Sequence, residues 1–479
     1  MIPVSHTGIR LTPQEDRVIT KPFLANVGAV GEWGQRIQQI ADRVLSVPDD
    51  RLEPEVELLR SRFRSRHRDI ESSWERNLVL AAAYVPALLE VDDPMRRLLL
   101  GASFTQEYAI EGAALTNPSA VPIGDGEFIL SLRAIGEGHI SSIEFRHGRI
   151  GADKQVVIDQ PGPHATAGVR KEIRHERTSF ASKLGELKAM DTVAEMVLEL
   201  LEQDFDDTEL SAALALVAAR DHVHPLQADT SMHMFRWLST SNYDLVFEDE
   251  ELSERVLFPA GPADSNGMED ARFVRFVDDD GAVTYYATYT AFDGSRVLPQ
   301  LISTGDFVKF RVSTLHGSCV QNKGMALFPR RIGGRFVALS RHDQMNLHVL
   351  WTDDEWQWNT AERLISPHEL WESTQIGNCG SPMETPEGWL VITHGVGPMR
   401  TYSLGAILLD LDHPNQVLGR LREPLLEPDW RDRDGYVPNV VYSCGALLDR
   451  GTVVLPFGIA DREVGIALVE LSDLLSALI

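Results

Sequence analysis

Cysteine is scarce in this chain. Its three examples, Cys319, Cys379 and Cys444, stand far apart and form no Cys-x-x-Cys pair, which disfavours a disulfide framework, a zinc staple and a dithiol redox centre. Long apolar runs are missing as well. No stretch approaches the roughly 20 residues needed to span a bilayer, so no membrane partner is expected. The first ten residues, Met1 to Arg10, lack a basic segment followed by an apolar one; no secretory signal is read there, and a cytoplasmic location is the expectation. Positive charge is in short supply: 45 Lys and Arg stand against 71 Asp and Glu, for a formal net charge of −26. Such a surface repels polyphosphate backbones, and the one basic run, Arg60 to Arg68, is short and flanked by acids, so nucleic acid is not an expected partner. An anionic substrate would need a local cluster of Lys, Arg and His to hold it against that field.

Familiar catalytic signatures are absent too. There is no Gly-x-Ser-x-Gly elbow, no Walker loop and no convincing dinucleotide fingerprint, which removes the usual anchors of esterase, nucleotidase and dehydrogenase readings. Neither a His-x-x-x-His pair nor calcium-loop spacing occurs, so no metal and no bound cofactor are assigned.

What the chain does contain is a repeat. Five times a polar residue opens a β-hairpin and another closes it 16 to 20 positions later: Asn117 to Arg133, Asp270 to Thr290, Lys323 to Arg341, Asn378 to His394, and Ser443 to Asp461. The tips carry Gly124-Asp125-Gly126, Asp280-Gly281, Gly333-Gly334, Glu387-Gly388 and Arg450-Gly451, the residue types that tight hairpins demand. A further β-rich run follows each hairpin. Repeated multi-stranded units of this kind read as propeller blades whose inner strands converge on one axis. The expected fold is therefore mainly β, a five-bladed β-propeller over residues 116–479. Helical spacing precedes it, giving an N-terminal helical module over 1–115, and interrupts it, giving a helical insertion at about 165–225 after the first blade. The insertion reads as scaffold or oligomer contact, or more sharply as a lid. From Met232 onward the pattern is read as strands and turns.

Four segments could carry chemistry. In Gly267-Met-Glu-Asp-Ala-Arg272, adjacent acids and an arginine open a strand; a desolvated carboxyl there suits a general acid, or else an Asp–Arg contact braces the strand entrance. Lys323 precedes an apolar strand, a costly position unless it meets an anion such as phosphate or a carboxylate such as Asp270 or Glu269. His394 is followed by flexible glycines, Arg400 and Tyr402, several donors in a short loop. Asp461 ends the last inner strand, as a sugar-hydroxyl acceptor or a plain turn residue.

These segments, taken in order with Thr116-Asn117-Pro118, Ser131-Leu-Arg-Ala134, Gly388-Trp-Leu-Val-Ile-Thr-His-Gly-Val396, Leu404-Gly-Ala-Ile-Leu-Leu-Asp410 and Val437-Pro-Asn-Val-Val-Tyr-Ser-Cys-Gly445, resemble glycoside hydrolase family 130, the β-mannoside phosphorylases and related β-mannosidases. The resemblance runs from about Asn117 to the C-terminus, outside the inserted helices. It implies an inverting phosphorylase that cleaves a terminal β-mannosyl linkage of a short oligosaccharide with inorganic phosphate, yielding α-mannose 1-phosphate. By position it implies Asp270 as the catalytic acid, acting through the mannose 3-hydroxyl. Arg311, Lys323, His394 and Tyr402 are implied as phosphate-binding, and Asn117, Arg133, Glu269, Arg272 and Asp461 as the sugar pocket. Ala271 stands where the family usually has proline. Phosphate is the implied co-substrate, and a homo-oligomer built through the helical regions is a further expectation. Two other readings stay open. One is a β-mannosidase on the same scaffold with Glu384 or Asp461 as base; the other is a noncatalytic glycan-binding propeller.

Overall fold

The computed structural model describes residues 2–24, 33–220 and 225–478. Residue 32, where the first helical stretch was expected to begin, and residues 221–224, within the expected insertion, lie outside the described residues. The chain is mainly β, with nine α-helices among the described residues. It divides into two compact units, one of residues 1–13, 113–160 and 168–479, the other of residues 14–112 and 161–167.

The smaller unit packs α1 (Trp33–Leu45), α2 (Asp49–Phe63), α3 (Ile70–Ala82) and α4 (Pro94–Ser103) around Ile37, Ala41, Leu78, Ala81, Leu100 and Phe104. Local chemistry sets the helix starts. The Asp69 carboxylate accepts from the Ser72 amide at the start of α3, and Asp93 accepts from the Arg96 amide at the start of α4, where Pro94 fills the first helical position. Close packing fixes Gly101: a Cβ there would lie 2.4 Å from the Trp74 carbonyl oxygen. This unit is not wholly helical, because Val18–Pro22 pairs antiparallel with Thr105–Ala109. Tyr108 on that hairpin is buried, with the Lys21 ammonium 4.4 Å from its ring centre.

The larger unit holds sheets of 12, 5, 5 and 4 strands, which form five runs of antiparallel neighbours, or stacks, the first two joined within the 12-stranded sheet by a parallel pairing of Gly267 with Ser141. The first contains Ala114–Gly124, Glu127–Ile135, Ser141–Ile150 and Val156–Ile158. The second contains Gly267–Val277, Val283–Phe292, Val297–Thr304 and Lys309–Thr314, extended by Tyr243–Val246 and Val169–Lys171. The third is Ala326–Leu327, Phe336–Ser340, Leu347–Thr352 and Thr360–Ile365. In the fourth, Gln375–Asn378 and Met383–Thr385 both pair with Gly388–Val396, followed by Tyr402–Leu409 and Val417–Arg420. In the fifth, Val441–Tyr442 and Leu447–Asp449 pair with Thr452–Ile459, followed by Glu463–Glu470. Ser5–Leu11 then adds to Glu463–Glu470 as an outermost strand. The first residues thus belong with the sheets, whereas the sequence reading grouped them with the N-terminal helices; seven residues with no helical period gave no sign of a partner some 450 positions away.

Each expected hairpin is present. Its turn chemistry is clearest in the fifth stack, where Arg450 and Gly451 both take positive φ, 44° and 78°, the backbone twist that two-residue hairpins require. Four further helices, α5 (Arg177–Glu186), α6 (Thr192–Leu200), α7 (Asp207–Ala218) and α8 (Pro225–Thr240), form the insertion around Phe180, Leu184, Val197, Phe205, Leu214 and Phe235. Here the structure corrects the expectation of strands from Met232: α8 runs on to Thr240, because Phe235 and Leu238 at helical spacing are claimed by the helical core. A ninth helix, α9 (Leu471–Ala477), ends the chain. Among the described residues no helix is long and apolar enough to cross a membrane.

Candidate active site

Residues that open or close hairpins in different stacks meet one another. Asn117, Asp270 and Asp461 all hold positive φ, at 47°, 56° and 48°, a conformation that costs free energy in a non-glycine residue and persists only where its surroundings enforce it. For Asn117 and Asp270 the enforcement is a bulge: strand register shifts between Thr116 and Ser119, and between Glu269 and Arg272. Such bulges re-aim side chains.

The Asp270 carboxylate receives the Asn117 amide at 2.5 Å and Arg133 Nη1 at 3.0 Å. Beside it, Glu269 accepts Arg133 Nη2 at 2.7 Å on one oxygen and Lys323 Nζ at 2.5 Å on the other. Arg133 and Lys323 are thereby linked through two adjacent acids from another stack. Burial alone would push the Asp270 carboxyl upward, but Arg133, Lys323 and Arg272, together with the Asn117 hydrogen bond, hold it well below the usual carboxylate range. Asp461 behaves differently. Burial raises it to about 6, against the pull of Arg133 and with the Asp270 charge adding to the rise; Thr116 Oγ1 donates to it at 3.3 Å. Two carboxyl groups near one guanidinium are driven apart, one kept ionised and one titrating near neutrality.

Arg272 is taken up by partners within the protein. It is 2% exposed, and its nitrogens donate to the Cys379 carbonyl at 2.8 Å, the Asp270 carbonyl at 2.8 Å and Tyr442 Oη at 2.7 Å. The expected sugar-pocket residue is instead a brace that fixes the backbone of Asp270.

A second cluster holds His394, Arg341 and Tyr402. A Cβ on Gly377 would lie 2.7 Å from His394 Cε1 and 3.2 Å from Arg341 Cδ, so both side chains cross the same glycine. Arg341 also packs beside Gly324, next to Lys323. The His394 and Tyr402 rings are nearly parallel, 12° apart with centres at 6.3 Å, and the Tyr442 ring meets His394 edge-on at 4.9 Å. Burial first, then Arg341 and Arg272, push the His394 imidazole well below its ordinary value, and a weak contribution from the Asn378 backbone does not offset them. The charged form of the ring is therefore disfavoured. Neither His394 nitrogen nor Arg341 Nε makes a well-formed hydrogen bond among the described residues, so buried donors converge here with their capacity unspent.

Arg311 is not among them. It lies on the fourth strand of the second stack, opposite Asp244 in register, and its Nε and Nη2 are bonded to that carboxylate at 2.7 and 3.1 Å. Arg341, which was not among the expected phosphate-binding residues, packs beside Gly377 with His394 and beside Gly324. The signal was present in the repeat: Arg341 closes the third hairpin, as Arg133, His394 and Asp461 close theirs. Glu384, one of two candidate bases, is 45% exposed and clamped by Arg330 at 2.8 and 2.9 Å. Among the described residues no group of three or more His, Cys, Asp or Glu side chains is arranged to hold a metal ion.

The chain is similar to several known proteins. A family described as β-1,4-mannooligosaccharide phosphorylase, glycoside hydrolase family 130, matches residues 241–478. A 1,2-β-oligomannan phosphorylase of Thermoanaerobacter sp. (strain X514) is 34% identical over 218 residues, covering 43% of this chain and 70% of that protein. A β-1,2-mannobiose phosphorylase of the same organism is 32% identical over 264 residues, covering 51% and 82%. The solved structure of the Listeria innocua β-1,2-mannobiose phosphorylase with β-1,2-mannobiose aligns over 76% of this chain and 92% of that one, at 21% identity and a TM-score of 0.47.

Proposed function

The chain belongs to glycoside hydrolase family 130, and we propose that it is an inverting β-mannoside phosphorylase whose five stacks are the blades of a β-propeller with the two clusters at its axis. The enzyme class follows from the family and its named relatives. The observation that carries the residue assignment is the meeting of Asp270 with Asn117 and Arg133, beside a Glu269 that holds both Arg133 and Lys323, while Arg341, His394 and Tyr402 gather together.

In this reading the mannose rests between Asn117, Arg133 and Asp461, with Asp270 on the leaving-group side. Phosphate lies against Lys323, Arg341, His394 and Tyr402. Phosphate is a nucleophile that needs no protein base, only cations that fix it in line and reduce its repulsion. One phosphate oxygen attacks C1 from the face opposite the leaving group; the C1–O glycosidic bond breaks, its electron pair goes to the leaving oxygen, and that oxygen takes a proton. Asp270 supplies the proton through the mannose 3-hydroxyl, as family resemblance implies. The cations that keep Asp270 ionised also attract phosphate, and an arriving dianion beside Lys323 weakens their hold on the carboxyl. The nucleophile thereby helps to protonate the acid.

The hydrolytic alternative needs a carboxylate to activate water. Glu384, clamped by Arg330, is a poor choice, which leaves Asp461. A product assay separates the readings. Incubated with β-1,2-mannobiose, chosen because two relatives carry that linkage in their names, the enzyme is expected to release a sugar phosphate only when phosphate is supplied. Phosphate-independent release of mannose would move the assignment to the hydrolase. The helical unit remains a proposed oligomer contact, and the inserted helices a proposed oligomer contact or rim of the acceptor side.

A further inference from the structure

The inserted helices do not simply cover the sheets. Near the C-terminal end of α5, Lys183 Nζ donates to the Leu315 carbonyl at 2.7 Å and to Glu186 at 3.0 Å, and Glu186 in turn accepts the Gly317 amide. These contacts pin the insertion to the loop that joins the second and third stacks. Beside the pin is a cavity of about 400 Å³, lined among others by Phe180, Lys183, Arg311, His316, Asp354 and Trp356. None of these residues belongs to the clusters around Asp270 and His394.

The wall of this cavity specifies a type of ligand. Its cations are already committed: Arg311 to Asp244, Arg174 to Asp206 and Glu209, and Lys183 to Glu186. Carboxylates also line it, and among the described residues one Asp354 oxygen is engaged, by the Trp356 amide. An anion would therefore meet no spare cation and a partly free carboxylate. His316 points the other way. It is 4% exposed, and both of its ring nitrogens lack a hydrogen-bond partner among the described residues. Burial disfavours the charged ring despite Glu186 and Asp354 nearby, and an uncharged imidazole offers one donor and one acceptor. Trp356, whose backbone carbonyl accepts the His316 amide at 2.8 Å, also lines the cavity and is 43% exposed, and an indole is the kind of surface that packs against sugar rings. A neutral ligand rich in hydroxyls answers all of these groups, and the volume suits one or two sugar units.

We propose that this cavity is a second, noncatalytic binding site for a mannosyl unit of an oligosaccharide, held by Trp356, His316 and Asp354. The choice of mannose rests on the reading of the catalytic site; the choice of a neutral sugar over an anion does not. Bound there, a longer chain would be retained on the enzyme between successive encounters with the active site.

The test is a titration with methyl 1-thio-β-mannoside, a thioglycoside that resists cleavage, in phosphate-free buffer. Two molecules are expected to bind per chain of wild-type protein, and two to the Asp270→Asn variant. Trp356→Ala and His316→Phe should each weaken one of the two sites by about tenfold or more, while Trp356→Ala turns over mannobiose within about twofold of wild type. Two bound sugars with no turnover would sink the catalytic reading and leave this one standing. One bound sugar in the wild type, an unchanged second site in both variants, or occupation of the cavity by inorganic phosphate instead of the thiomannoside would overturn it.

Discussion

At the scale of single residues, the site works by splitting two neighbouring carboxyl groups. Asp270 is pinned in the ionised state by Arg133, Lys323 and Arg272, while Asp461 is lifted by burial to about 6. Replacing Asp270 with Asn removes the proton donor and is expected to lower kcat by about 10²- to 10⁴-fold, the range for loss of a general acid, with mannoside binding largely kept. Asp461 makes a separate statement about stability. It holds its proton more tightly in the folded chain than in the unfolded one, so its ionisation opposes folding. Its favourable contribution is complete below the unfolded value of 3.8 and is lost as pH rises through about 6, at most roughly 3 kcal/mol. Asp461→Asn should therefore flatten the decline in melting temperature between pH 4 and 7, even if catalysis suffers; an unchanged pH profile of thermal unfolding would contradict the buried placement. For phosphate, Lys323→Ala and Arg341→Ala are each expected to raise its KM by about tenfold to a hundredfold, through loss of a charge-assisted contact of about 1.5–3 kcal/mol. Arg311→Ala should leave that KM within about twofold of wild type, because Arg311 is spent on Asp244.

Elements decide which of these residues were legible beforehand. Asp270, Lys323, His394 and Asp461 could be read because each stands at the edge of an apolar strand in a repeated hairpin, where a charged or polar group needs a reason to be. Arg341 occupies the same place at the close of the third hairpin, whereas the family resemblance points to Arg311, which is spent on Asp244. Arg272 was legible as important but not as buried, since its bonds to Cys379 and Tyr442 join segments 107 and 170 residues away. Neither the bulges that turn Asn117 and Asp270 nor the glycine beneath His394 announces itself in composition. Gly377 offers a direct check. Alanine there would place its Cβ within 2.7 Å of the His394 ring, closer than carbon atoms tolerate. Gly377→Ala should raise the KM for phosphate while changing the KM for mannoside less, without unfolding the protein, as steady-state kinetics with each substrate varied in turn would show.

The whole molecule combines a larger unit of mostly antiparallel sheets with a smaller unit built mainly of helices, and its mainly β class followed from patterns that recur: five hairpins, five tips, five following strands. Patterns that occur once were harder. Ser5–Leu11 joins the last stack because its edge would otherwise be open, a reason visible only in three dimensions. Likewise α8 extends past Met232 because the insertion needs Phe235 and Leu238 for its own core. Convergence of distant hairpins on one mannose and one phosphate is the claim on which the functional account depends. Its most direct measurement is the product of β-1,2-mannobiose cleavage, followed by ³¹P and ¹H NMR with and without inorganic phosphate. The account predicts α-mannose 1-phosphate, formed in proportion to phosphate consumed and in no measurable amount without it. Free mannose released at the same rate in phosphate-free buffer, or a β-configured phosphate ester, would contradict it.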